Sequence, residues 1–163
     1  MLYAEFRRQQ EESISRKCQL IDQNKNNPQP YFVRGCARKH LTQYQLAVND
    51  FSIGIQINDK HSLSYYKRCL TYLAFGHYNQ ALQDADKYVE LCPFKDGHIA
   101  YFNRAVYHMK MPCFEKAYND FTKAIQFEPN DLFYQCCRAR VAPKQNRCKT
   151  SKQSNMQRTS TSY

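Results

Sequence analysis

The chain has 163 residues, with 24 lysines and arginines against 14 aspartates and glutamates, a formal net charge of +10. Four glycines and six prolines are too few for a turn-rich β-sandwich, and no apolar run approaches the roughly 20 residues that a membrane-spanning helix needs. The length suits one domain with a core of its own, or a short array of repeats.

The charge is unevenly spread. Residues 1–131 hold 17 basic residues and all 14 acidic ones, whereas residues 132–163 hold 7 basic residues and no acid. A basic tail can attract nucleic acid or another acidic surface. The N-terminus, MLYAEFRRQQEES, is charged within five residues and lacks the apolar stretch of a secretory signal. It reads as the start of a cytoplasmic or nuclear protein rather than a secreted one. The eight cysteines are then expected as reduced thiols, buried as small apolar side chains. None stands in a C-x-x-C, no Cys/His spacing resembles a zinc site, and no metal or cofactor is expected.

Residues 2 to about 21 place Leu2, Phe6, Ile14, Cys18 and Ile21 roughly on one face of a helix. With the stretch DQNKNNPQP, which reads as a loop, they make an N-terminal cap over residues 1–27. A period then begins. Arg34, Arg68, Arg104 and Arg138 are spaced 34, 36 and 34 residues apart. Tyr44, Tyr78 and Phe114 keep the same step, as do Ala47, Ala81 and Ala117, and Pro93 and Pro129 are 36 apart. Over 99–111 the apolar residues Tyr101, Phe102, Ala105, Val106 and Met109 make a helical stripe. Over 115–127, Ala117, Phe121, Ala124, Ile125 and Phe127 make another. Gly76 and Pro112 fall between such stripes, and Pro93 and Pro129 fall after them, where helices stop. Each period is a pair of antiparallel helices, and a pair that cannot bury its stripe alone must stack on its neighbours.

The segment HIAYFNRAVYHMKMPCFEKAYNDFTKAIQFEPND, residues 98–131, resembles the tetratricopeptide repeat: Tyr101, Ala105, Phe114, Ala117, Phe121, Ala124 and Pro129 fall on that family's signature positions. The resemblance covers 28–131 as three repeats, 28–61, 62–97 and 98–131. It implies an all-α fold, an α-solenoid of antiparallel helix pairs wound as a right-handed superhelix. LFYQCCRAR, within 132–140, starts a fourth repeat in register. Pro143 is then expected to break the helix, and the Ser/Thr-rich basic segment 141–163 is expected to be disordered. An array that halts inside a repeat reads as a fragment or alternative end of a longer protein.

Sixteen residues after each arginine stands an aspartate: Arg34 and Asp50, Arg68 and Asp84, Arg104 and Asp120. Antiparallel helices joined by a short turn set these positions side by side, so an ion pair is expected inside each repeat. Ser154 stands where the partner of Arg138 should be.

No catalytic constellation is visible. The glycines form no nucleotide-binding loop, the five histidines are scattered, and Cys136 and Cys137 suit packing or plain exposure better than reactivity. A non-enzymatic scaffold is therefore expected, binding a protein or peptide. The resemblance implies a concave groove lined by the first helix of each repeat. Its residues are Gln29, Phe32, Cys36, Lys39 and His40 in the first repeat, and Leu63, Tyr66, Leu70, Leu73 and Ala74 in the second. The third gives Ile99, Phe102, Val106, Met109 and Lys110. An apolar lining with a basic rim fits an amphipathic helix or an apolar peptide with some acidic residues. The equal alternative is a groove filled by the chain's own helices. The family members that clamp acidic chaperone tails use lysine, asparagine and arginine where this chain has Phe32, Cys36, Lys67, Ile99 and Asn103, so those tails are not expected. A second functional reading assigns nucleic-acid or acidic-surface binding to the basic tail.

Overall fold

The structure is a computed structural model that describes residues 2–144. Among these residues there are helices and no strands. The helices are α1 (Leu2–Gln23), α2 (Pro28–His40), α3 (Tyr44–Ile57), α4 (Ser62–Ala74), α5 (Tyr78–Leu91), α6 (Gly97–Lys110) and α7 (Phe114–Phe127). A 3-10 turn, Phe94–Asp96, precedes α6, and residues 132–144 form a further helix, α8.

The helix starts and stops follow from local chemistry. Pro28 opens α2, where a missing N–H costs nothing, and the Asn27 side chain accepts a 3.0 Å hydrogen bond from the Gln29 N–H. The loop before α2 is accordingly short, residues 24–27, because α1 runs on to Gln23. The turns inside the three helix pairs repeat one geometry. Thr42 and Gly76 hold left-handed backbone, with φ of 60° and 82°, and Pro112 stands at the same place in the third pair. The next N–H in each case, that of Gln43, His77 or Cys113, donates to the carbonyl of Arg38, Tyr72 or His108 at 2.9, 2.8 and 2.8 Å. This six-to-one bond closes the first helix of each pair, after a left-handed residue in the first two.

The chain divides into two compact units, Met1–Cys92 and Pro93–Tyr163. In the first, α2 pairs with α3 and α4 with α5, while α1 lies on α2 and α3 lies on α4. Its core draws on both helices of each pair: Ala37 and Cys69 of the first helices and Ala47, Phe51, Ala81 and Ala85 of the second are buried. Gly35 lets α2 approach α3, since a Cβ there would stand 2.7 Å from the Phe51 ring. In the second unit α6 pairs with α7, and Ala105, Ala117 and Phe121 form a fully buried cluster with Val141 of α8.

Two expectations need correction. Helix α8 passes through Pro143 to residue 144, four residues beyond the end the sequence pattern places at 140. Val141 explains this, because it is completely buried in the α6–α7 core and its burial opposes the hydrogen bond lost at the proline. The rest of the segment expected to be disordered, 145–163, lies outside the described residues, as does Ser154. On α1, only Ile21 of the apolar face is buried, and Leu2 is 91% exposed. Phe6 meets the ring of His40, the last residue of α2, edge-on at 6.0 Å, so the residues before Phe6 lie beyond the end of α2.

Candidate functional site

The arginines sit one per first helix, each next to an aspartate of the following helix. Arg34 Nε and Nη2 donate to Asp50, with Nη2 2.7 Å from Oδ1. Arg68 makes the same fork on Asp84 at 2.8 and 2.7 Å, and Arg104 on Asp120 at 2.9 and 2.8 Å. Each guanidinium also lies over a tyrosine: Arg34 over Tyr31, Arg68 over Tyr65 and Arg104 over Tyr101. The remaining Nη1 of the first two reaches the preceding helix: Arg34 to Cys18 Sγ at 3.3 Å, and Arg68 to Ser52 Oγ at 2.9 Å. Helix α1 thus meets α2 through the register that α3 uses on α4. Arg38 adds a second cation to Asp50 at 2.8 Å. Arg138 of α8 lies over the Tyr118 ring.

Asp50, Asp84 and Asp120 are buried, whereas their arginines keep a fraction of their surface in water. The Asp50 hydrogen bonds hold the Arg34 guanidinium above its ordinary range. Burial pushes the Asp84 carboxyl up, against the pull of Arg68. These arginines are engaged within the fold, so they are poor candidates for a ligand.

The residues expected to line a groove divide into two kinds. The rings are half-buried and also pack within the fold. Phe32 lies against Phe51 and His61, Tyr66 stacks on Tyr88 at 4.9 Å, and Phe102 lies against Phe121, Phe133 and Tyr134. Met109 also packs on the core of the second unit, where Val106 is half-buried and Lys110 is exposed. In the first unit the surface is more open. Leu63 is 47% exposed, and Leu70 and Leu73 are half-buried about two and three turns further along the same side of α4. Lys39, in the last turn of α2, is half-buried. Burial first, and then the charge of Lys67, pull the Lys39 ammonium below its ordinary range.

Sequence reasoning missed Arg38, Cys18 and Ser52 as partners in the struts. Arg38 had a signal, since it stands one turn after Arg34 on the same helix face. Cys18 and Ser52 both lie 16 residues before an arginine, a spacing that was visible but had no chemistry attached. Among the described residues, no group of three or more His, Cys, Asp or Glu is placed to hold a metal ion, and no helix is long and apolar enough to cross a membrane.

No family model matches the chain. It is similar to human sperm-associated antigen 1, 31% identical over 88 residues that make 53% of this chain and 9% of that protein. It is also similar to rat serine/threonine-protein phosphatase 5, 31% identical over 105 residues, 62% of this chain and 21% of that one. The chain thus spans about a tenth to a fifth of the length of these curated relatives. Among solved structures, the MamA RS-1 ArsTM double mutant superposes with a TM-score of 0.76 at 22% identity, covering 94% of this chain and 88% of that one. The first TPR of Spaghetti (RPAP3), bound to the HSP90 peptide SRMEEVD, gives 0.65 at 16% identity, covering 72% and 91%. The fold is the all-α solenoid of tetratricopeptide-repeat proteins.

Proposed function

We propose that this chain, on its tetratricopeptide fold, is a non-enzymatic interaction module whose first unit binds an extended, mostly apolar segment of another protein along α4 and the adjoining end of α2. The observation that carries this reading is the leucine stripe of α4. Leu63, Leu70 and Leu73 run along one side of the helix and remain partly in water, while Tyr66 between them is anchored on Tyr88. Apolar side chains left in a row at a surface gain from a partner that covers them. The related structure solved with a peptide supports peptide capture as the mode. The HSP90 peptide that it holds is not the expected occupant here, because Phe32 brings no cation and Cys36 no amide to the positions where the clamp uses lysine and asparagine.

A phage-displayed library of random dodecapeptides selected on the chain tests this. Selected peptides are expected to be apolar-rich and to lose binding to the Leu70→Glu variant. They are expected to keep it after deletion of 145–163 and at raised salt. Binding that collapses with salt and with that deletion would instead assign recognition to the basic tail. The peptide SRMEEVD is the direct control for the chaperone reading, and tight binding of it would overturn the exclusion.

A further inference from the structure

The open face of the first unit carries two cations that the apolar stripe does not explain. Lys39 lies in the last turn of α2, and Lys67 sits on α4 with its ammonium 5.3 Å from the centroid of the Tyr66 ring. The two helices touch, and after burial the charge of Lys67 is the next cause that lowers the Lys39 ammonium. Cys36, one turn before Lys39, lies within the field of both, and burial pushes its thiol up against their influence. Both lysines are half-buried.

The other cations buried in this unit are each answered by a carboxylate: Arg34 and Arg38 by Asp50, and Arg68 by Asp84. Lys39 and Lys67 have no ion pair among the described residues. Two half-buried ammonium groups that repel each other cost free energy, and an anion between them would repay it. One carboxylate can satisfy both, since its two oxygens accept several hydrogen bonds.

We propose that Lys39 and Lys67 form a subsite for the carboxylate of an aspartate or glutamate side chain at an internal position of the bound segment. The internal position follows from the order of residues on α4. Leu63 and Tyr66 precede Lys67, and Leu70 and Leu73 follow it. A segment lying along this stripe has apolar neighbours on both sides of the acid, which a chain terminus would not. This inference rests on the peptide-binding reading above.

The dodecapeptides selected on the chain supply the probe. One aspartate or glutamate flanked by apolar residues is expected among them. Changing that acid to its amide in a synthetic copy is expected to weaken binding about tenfold. The same change is expected to have little effect on the Lys39→Gln/Lys67→Gln variant, whose thermal unfolding checks that it is folded. Binding is also expected to raise the titration midpoint of the Lys39 ammonium, followed by NMR. Amidating the peptide's C-terminus is expected to change little, and a loss there would assign the lysines to a terminal carboxylate and overturn the proposal. Selected peptides that need Leu70 but show no acidic preference would overturn the subsite and leave the groove. A selection that yields nothing above the Leu70→Glu background would overturn both.

Discussion

Asp50, Asp84 and Asp120 are enclosed, so each depends on the cations beside it in place of water, and for Asp84 that cation is Arg68. Replacing Asp84 with Ala would strand Arg68 against Ser52 and two tyrosine rings. The expected loss is about 3 kcal/mol, the lower end of the range for a broken buried pair, because the guanidinium keeps some contact with water. Urea unfolding measures it, and Arg68→Ala in the same chain is expected to recover part of the loss. A double-mutant cycle with no recovery would count against the strut. His61 supplies a pH-dependent contribution of the opposite kind. Its Nδ1 is 2.7 Å from the buried Ser64 hydroxyl, its ring lies against Phe32, and burial pushes its pKa below the ordinary 6.5. The unfolded chain therefore takes up a proton more readily than the folded one. Stability is fully present above about pH 6.5 and is lost as pH falls below it. Thermal unfolding is expected to shift downward through that window, and His61→Gln is expected to flatten the change.

At the scale of helices and turns, adding a glycine at one position and removing one at another predict opposite outcomes. Thr42 holds a left-handed conformation that a β-branched residue resists, in the turn where the next pair has Gly76. Thr42→Gly is expected to stabilise by about 1 kcal/mol, read as a higher melting temperature. Gly35 lies inside α2, where alanine is the better helix former by about 1 kcal/mol. Yet a Cβ at Gly35 would press on the fully buried Phe51, so Gly35→Ala is expected to destabilise by about 1–3 kcal/mol. Packing outweighs propensity at this site. The same contest decides α8, where the burial of Val141 carries a helix through Pro143.

Across the whole chain, the period was readable because the same jobs recur in each helix pair. Ala47, Ala81 and Ala117 are all completely buried, and only a small side chain fits there. The strut was readable because an arginine and an aspartate at constant separation have one obvious chemistry. The open surface was less so. Position in the repeat marked Phe32, Tyr66 and Phe102 as lining residues, but not that each ring, half-buried, also packs on Phe51, Tyr88 or Phe121. Which side chains stay in water depends on the neighbours' actual volumes, and these are set by tertiary contacts that no single repeat encodes. The missed partners Cys18 and Ser52 have the same cause. Each belongs to the helix before the arginine's own pair, so its role appears only once helices are stacked.

That reach across three helices bears on how the first unit comes apart. Arg34 joins α1, α2 and α3, and Arg68 joins α3, α4 and α5. The two share α3, like adjacent links in a chain. A linear array held only by neighbouring interfaces can fray one element at a time. Here, peeling α5 away would take the carboxylate from the arginine that also holds α3, and the disturbance would pass inward. Native-state hydrogen exchange is expected to show α2 to α5 opening together rather than in steps. In the Arg68→Ala variant the shared link is cut, and α4 and α5 are expected to exchange before α2 and α3.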